Sequence, residues 1–178
     1  GQSKDMTLSD DLKKIYLNDY HLDNHAKIVS FSGYHMPINY DLGIIKENLH
    51  VRNSAGIFDV SHMGQILIPS SNLNQESLSK FIPLNFENIK RGKSYYSFLL
   101  NENGCIIDDL IISKIFYENL EYFFIVYNAS RKEIDEKIFK ENLTEFNLLI
   151  DNCLIAIQGP KALEILDSLQ IDSKLLFM

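Results

Sequence analysis

Apolar residues in this chain recur with two different periods. Short runs with strand character predict strands at Ala26–Phe31, Gln65–Ile68, Tyr95–Leu100, Cys105 to about Phe116, Glu121–Tyr127, Leu148–Ile150 and Cys153–Gln158. Helical spacing and capping signals predict helices from Ser9 to about Asp19, Asp41 to about Ser54, Asn74–Phe81, Ser130 to about Glu141, and Lys161–Leu169. Asp41 and Asn74 are expected N-caps, Ser130 and Glu133 form a capping-box pattern, and Gly56 is a plausible helix stop. Ile15 and Tyr16 are the expected apolar contacts of the first helix, and Leu73, Leu78 and Phe81 those of the third. Asn101-Glu102-Asn103-Gly104 and Tyr117-Glu118-Asn119 join three strands into a meander. Ser32–Tyr40 is aromatic-rich and broken by Gly33 and Pro37, so it reads as an irregular loop. Antiparallel strands with interspersed flanking helices predict an α+β fold.

The strand after Gly104 carries two adjacent carboxylates, Asp108 and Asp109, in Ile106-Ile107-Asp108-Asp109-Leu110-Ile111-Ile112. Side chains alternate across a strand, so the two acids point to opposite faces. Both faces are otherwise apolar, the pattern of a strand covered on both sides. A buried polar group without partners costs roughly 2–7 kcal/mol, so each acid needs either a rim position or a polar pocket.

Composition narrows the chemistry. The chain has 178 residues, 46% hydrophobic and 23% charged, with net charge −7 and scattered basic residues. No basic stripe suits a phosphate backbone, and no apolar run approaches the roughly 18 residues of a membrane-spanning helix. Gly1-Gln2-Ser3 looks like an expression remnant, and the apolar end Leu175-Leu176-Phe177-Met178 suggests a piece of a longer protein. Cys105 and Cys153 are expected as buried, reduced thiols; no metal template, nucleophile elbow or phosphate-binding glycine loop is present in the sequence. His62 reads as a hydrogen-bonded structural histidine. Met63-Gly64 could let a small molecule approach the backbone. The chemistry therefore rests on acids, aromatics and histidine.

Phe31-Ser32-Gly33-Tyr34-His35-Met36-Pro37-Ile38-Asn39-Tyr40 resembles the Phe-Gly-Gly-Trp-x-Met-Pro-x-x-Tyr segment of aminomethyltransferases, the T-protein family of the glycine cleavage system. Val51 to Gly64, with Phe58-Asp59-Val60-Ser61-His62-Met63-Gly64 at its end, resembles that family's signature. So do Tyr96-Ser97, Asn101 to Leu110, Asn128-Ala129-Ser130 and Gln158-Gly159-Pro160; the matches run in order over residues 12–169. Ser32, Tyr34 and Cys105 depart mildly from the pattern.

The resemblance implies a tetrahydrofolate-dependent enzyme that takes an aminomethyl group from the lipoyl arm of a partner H-protein and releases ammonia. It implies a first lobe built from residues 1–57 and 142–178, an inserted ferredoxin-like lobe over 58–141, and a remainder lying beyond Met178. By the same resemblance Asp109 is the catalytic carboxylate, with Asp108 the runner-up, and Met63, Tyr96, Asp109, Val126 and Asn128 line the folate site. The location would be mitochondrial in a eukaryote and cytoplasmic otherwise. The residues 1–178 alone would be inactive, since other folate-gripping positions of the family lie downstream. Alternatives are the folate lobe of a dimethylglycine- or sarcosine-oxidising flavoenzyme, a non-enzymatic folate-binding iron–sulfur assembly factor, or a scaffold domain.

Overall fold

The computed structural model describes residues 11–171. In chain order they form β1 (Lys13–Lys14), α1 (Asn18–Asp23), β2 (Lys27–Phe31), β3 (Tyr34–Asn39), α2 (Ile44–Asn53), β4 (Gly56–Asp59), β5 (Gly64–Pro69) and α3 (Asn72–Ser79). Then follow β6 (Ser94–Leu100), β7 (Ile106–Tyr117), β8 (Leu120–Tyr127), α4 (Lys132–Asn142), β9 (Asn147–Leu148), β10 (Ile155–Gln158) and α5 (Ala162–Ser168). The fold is α+β with largely antiparallel pairing. The chain divides into two compact units, with boundaries after His62 and after Asp151. Among the described residues no helix is long and apolar enough to cross a membrane.

In the first unit β1, β3 and β2 form a three-stranded sheet, in that order, and β4 pairs with β10. Over the described residues 11–17 the helix expected from Ser9 to Asp19 does not form. Lys13 and Lys14 instead run parallel to Tyr34 and His35, the Lys13 N–H donates to the Gly33 carbonyl at 2.9 Å, and the helix starts at Asn18; Ser9 and Asp10 lie outside the described residues. Ile15 is buried but Tyr16 is 78% exposed. One inward apolar residue makes no stripe, and a short helix without tertiary packing is marginal. The expected loop at Ser32–Tyr40 is mostly strand. Ser32 and Gly33, at φ 49° and 81°, make the two-residue turn that suits a twisted hairpin. Pro37 sits opposite Ile28, beside a bulge and beyond the stretch paired with β1, where a missing N–H breaks no ladder on that side. Helix α2 starts after Gly43, at φ 79°, without the expected Asp41 cap. Asp41 bonds His25 Nδ1 at 3.0 Å, while Glu47 accepts the Tyr40 N–H at 2.7 Å. Ser54 ends the helix, and Gly56 opens β4.

The second unit is a five-stranded sheet of order β6-β7-β8-β5-β9. One face carries the core. Ile66, Ile68, Leu99, Leu110, Ile112, Phe123, Ile125 and Tyr127 pack with Leu78, Phe81, Phe86, Phe139 and Leu143. The other face is not covered in the way the apolar run on β7 suggested: Tyr96 is 56% and Ile111 38% exposed. The cap of α3 is Ser71, whose hydroxyl accepts the Asn74 N–H at 3.2 Å. Asn74 is buried, donating to the carbonyls of Pro69 at 2.9 Å and Glu145 at 3.3 Å, while Leu73 faces outward. Ser130 makes no capping box; it lies in a 3-10 turn, Ala129–Arg131, ahead of α4.

Both cysteines are exposed, contrary to expectation. Cys105 belongs to the turn, because Asn101 Oδ1 accepts the N–H groups of Asn103 and Cys105, so the strand starts one residue later. Cys153 likewise precedes its strand. The space over Gly64 is filled from within: a Cβ there would lie 1.9 Å from Cε2 of Tyr127, its partner across β5 and β8. That glycine admits a core tyrosine, not a ligand.

Candidate functional site

Strand register sets the geometry on the open face of the second unit. Tyr96 pairs with Ile111, Ile111 with Val126, and Val126 with Gln65, so these four share one row. The adjacent row begins with Phe98 opposite Asp109. Asn128 directly follows β8 and Met63 directly precedes β5, at the same end. Met63, Tyr96, Asp109, Val126 and Asn128 are therefore gathered at one end of one sheet, although they span 66 positions of sequence.

Asp109 is half-buried and held from two sides. The Tyr96 hydroxyl donates to its Oδ2 at 2.7 Å, and the Asn128 amide donates to Oδ1 and, at 3.3 Å, to its backbone carbonyl. Bonding to the Asp109 carboxylate raises the Tyr96 phenol above its ordinary value, so Tyr96 stays a donor. The Tyr96 ring meets Phe98 edge-on, with centroids 5.5 Å apart. The result is a carboxylate fixed in direction with lone pairs to spare, flanked by exposed aromatic and aliphatic surface. Such a group can accept a proton or stabilise a developing cation, and the surface beside it suits a flat heterocycle.

Asp108, on the core face, makes no use of solvent. Its Oδ2 accepts the Asn128 N–H at 3.1 Å and its Oδ1 the Asn128 amide at 2.8 Å. Burial pushes this carboxyl up, but hydrogen bonds from Asp135, Asn128 and the Asp109 backbone outweigh it and hold it below the ordinary carboxylate value. The alternation of strand side chains thus separates two roles: Asp109 is reachable, Asp108 is an internal anchor.

Two groupings escape a sequence reading. Asp135, in the first turn of α4, looks like a solvated helix-dipole acid, yet it is fully buried. The signal is its spacing: it stands four residues before Phe139 and eight before Leu143, on the inward stripe. Burial first, and then Asp108, push its carboxyl up to about 9, with Glu136 raising it further and Arg131 opposing. The second grouping lies in the first unit. His21 bonds Asp59 Oδ2 through Nε2 and the Tyr40 hydroxyl through Nδ1, both at 2.7 Å, beside a cleft of about 580 Å³. Asp59 also holds Ser61 N–H at 3.0 Å, and Ser61 Oγ accepts the Leu154 N–H at 2.9 Å. Both ring nitrogens of His21 are engaged, and the network ties α1 to β4 and to the end of β3. His62 is buried, its ring edge-on to Phe31 and Tyr34. Among the described residues no cluster of three or more His, Cys, Asp or Glu is arranged to hold a metal ion.

Residues 17–176 match the family described as "GCVT N-terminal domain". The chain is 38% identical over 165 residues to an aminomethyltransferase of Thermoanaerobacter pseudethanolicus, covering 90% of this chain and 44% of that protein. It is 37% identical over 169 residues to a mitochondrial aminomethyltransferase of Dictyostelium discoideum, covering 89% of this chain and 41% of that one. The solved glycine cleavage system aminomethyltransferase T from Bartonella henselae superposes with a TM-score of 0.80 at 36% identity, over 94% of this chain and 46% of its own. The chain thus spans less than half the length of these relatives.

Proposed function

The chain belongs to the GCVT N-terminal domain family, the family of the glycine cleavage aminomethyltransferases, and from that footing we propose that the complete gene product moves a one-carbon unit from an aminomethyl-lipoyl H-protein to tetrahydrofolate, releasing ammonia. The observation that carries this reading is the Asp109 carboxylate, oriented by Tyr96 and Asn128 on an open, partly aromatic sheet face. Tetrahydrofolate supplies the nitrogen nucleophile that receives the carbon. Asp109 accepts or returns a proton at that nitrogen, or offsets the positive charge that grows as ammonia leaves. Tyr96 and Val126 give the pterin an apolar seat, Met63 adds an adaptable thioether, and Asn128 aligns the carboxylate. The H-protein and its lipoyl arm are the proposed partner and donor. The proposed location is the mitochondrion in a eukaryotic host and the cytoplasm in a bacterial one.

The test is ammonia release from aminomethylated H-protein by the complete gene product, with and without tetrahydrofolate. Release is expected only with folate present. Asp109→Asn, which keeps the shape but not the base, is expected to lower turnover by about 10²–10⁴-fold with folate affinity retained. Full turnover in that variant would remove Asp109 from the chemistry.

A further inference from the structure

We propose that Asp135 is a neutral carboxylic acid whose O–H donates to Asp108, and that this buried acid pair, acting through Asn128, sets the orientation of the Asp109 carboxylate. Asp135 would then be a positioning residue that touches neither substrate nor folate. The link to catalysis rests on the reading of Asp109 given above; the protonation of Asp135 does not.

Asp135 is 0% exposed, and neither of its oxygens receives a hydrogen bond from an N–H or O–H donor among the described residues. A buried carboxylate in that position would be uncompensated, at a cost of several kcal/mol. As an acid it needs only an acceptor, and the Asp108 carboxylate is the charged neighbour that acts most strongly on it, with the start of α4 tied by Arg131 to the strand residue just before Asp108. The remaining charged neighbours do not change this. Arg131 directs Nε to the Ile107 carbonyl at 2.9 Å, and Glu136 accepts the Tyr127 hydroxyl at 3.0 Å. The proton belongs on Asp135 and not on Asp108, because Asp108 already accepts two N–H groups of Asn128. Two facing carboxyls in one apolar site share a proton, and the partner with more donors keeps the charge.

The consequence reaches the open face through one amide. Asn128 can place either its oxygen or its nitrogen toward the acids, and a negatively charged Asp108 admits only the nitrogen. That nitrogen spans Asp108 Oδ1 at 2.8 Å and Asp109 Oδ1. Asp108 therefore fixes Asn128, and Asn128 fixes Asp109. The proton on Asp135 lets Asp108 stay both buried and charged, the arrangement in which one acid is kept neutral to donate.

The test compares Asp135→Asn, which keeps a neutral donor, with Asp135→Ala, which has none, in the complete gene product. Infrared difference spectra of wild type minus D135N at neutral pH are expected to show the carbonyl stretch of a protonated carboxyl. D135N is expected to keep most of its turnover, whereas D135A loses roughly 10–10²-fold in kcat with folate affinity unchanged. The proposal is overturned if the band is absent, if D135N is as impaired as D135A, or if D135A turns over like wild type. Should D135A not fold, the band and D135N still decide. D109N, assayed beside them, separates the two ideas: full turnover there defeats the catalytic reading, while the infrared band still reports on Asp135.

Discussion

A buried acid with a raised pKa leaves a thermodynamic trace, and its sign follows from where the proton sits. The Asp135 carboxyl moves from an ordinary 3.8 up to about 9 in the folded chain. Between those limits the folded state holds a proton that the unfolded chain has released. This contribution to stability is complete below the ordinary value and is lost as pH rises toward 9. One proton gives a slope of at most about 1.4 kcal/mol per pH unit. Asp108 runs the other way: its lowered pKa contributes stability above the ordinary carboxylate value that is lost only in acid, so it does not interfere near neutrality. Asp135→Asn removes the titrating proton and keeps a donor. Its stability relative to wild type should therefore rise by roughly 2–3 kcal/mol over two pH units around neutrality. Urea unfolding at several pH values, followed by far-ultraviolet circular dichroism and tyrosine fluorescence, measures this; the sequence contains no tryptophan. Parallel pH profiles for wild type and D135N would refute the reasoning, since they would mean that Asp135 is ionised in the folded chain.

Two further outcomes follow from packing and exposure. Gly64→Ala should destabilise the second unit by about 1–3 kcal/mol in urea melts, because its Cβ meets the ring of a fully buried Tyr127; an unchanged midpoint would show that the ring has room to move. Cys105 and Cys153 should both react with a thiol reagent in the native state without denaturant, and protection of either would contradict its exposure.

Local pattern settled much of the second unit by itself. The β6-β7-β8 meander follows from runs of strand formers punctuated by Asn-Gly and Glu-Asn turns, signals that act within a few residues. The separation of Asp108 from Asp109 follows from the pleat, since adjacent strand residues have to diverge. Local signals failed where a competitor was close in space or nearly equivalent in sequence. Ser71 and Asn74 are both good caps, and only packing decided that Asn74 goes inside to hold two carbonyls. Pro37 looked like a strand breaker until β1 proved too short to run beside it. The apolar run on β7 implied two covered faces, but the helices of this unit cover only the one that carries Asp108.

The candidate site divides along the same line. Asp109 stands out in the sequence because an acid amid isoleucines demands a reason. Nothing local says that Tyr96, from the neighbouring strand, and Asn128, from the end of the next, would be its donors; register across three strands decides that. Asp135 was the least legible, because an acid in a first helical turn already has an ordinary explanation. What the sequence determined alone were the properties that depend on neighbours along the chain: period, turn chemistry and the placement of two acids on opposite faces. The tertiary structure decided which face was open, which residues met, and where a proton is held. Those depend on burial and on donors brought from distant segments, which no local pattern encodes.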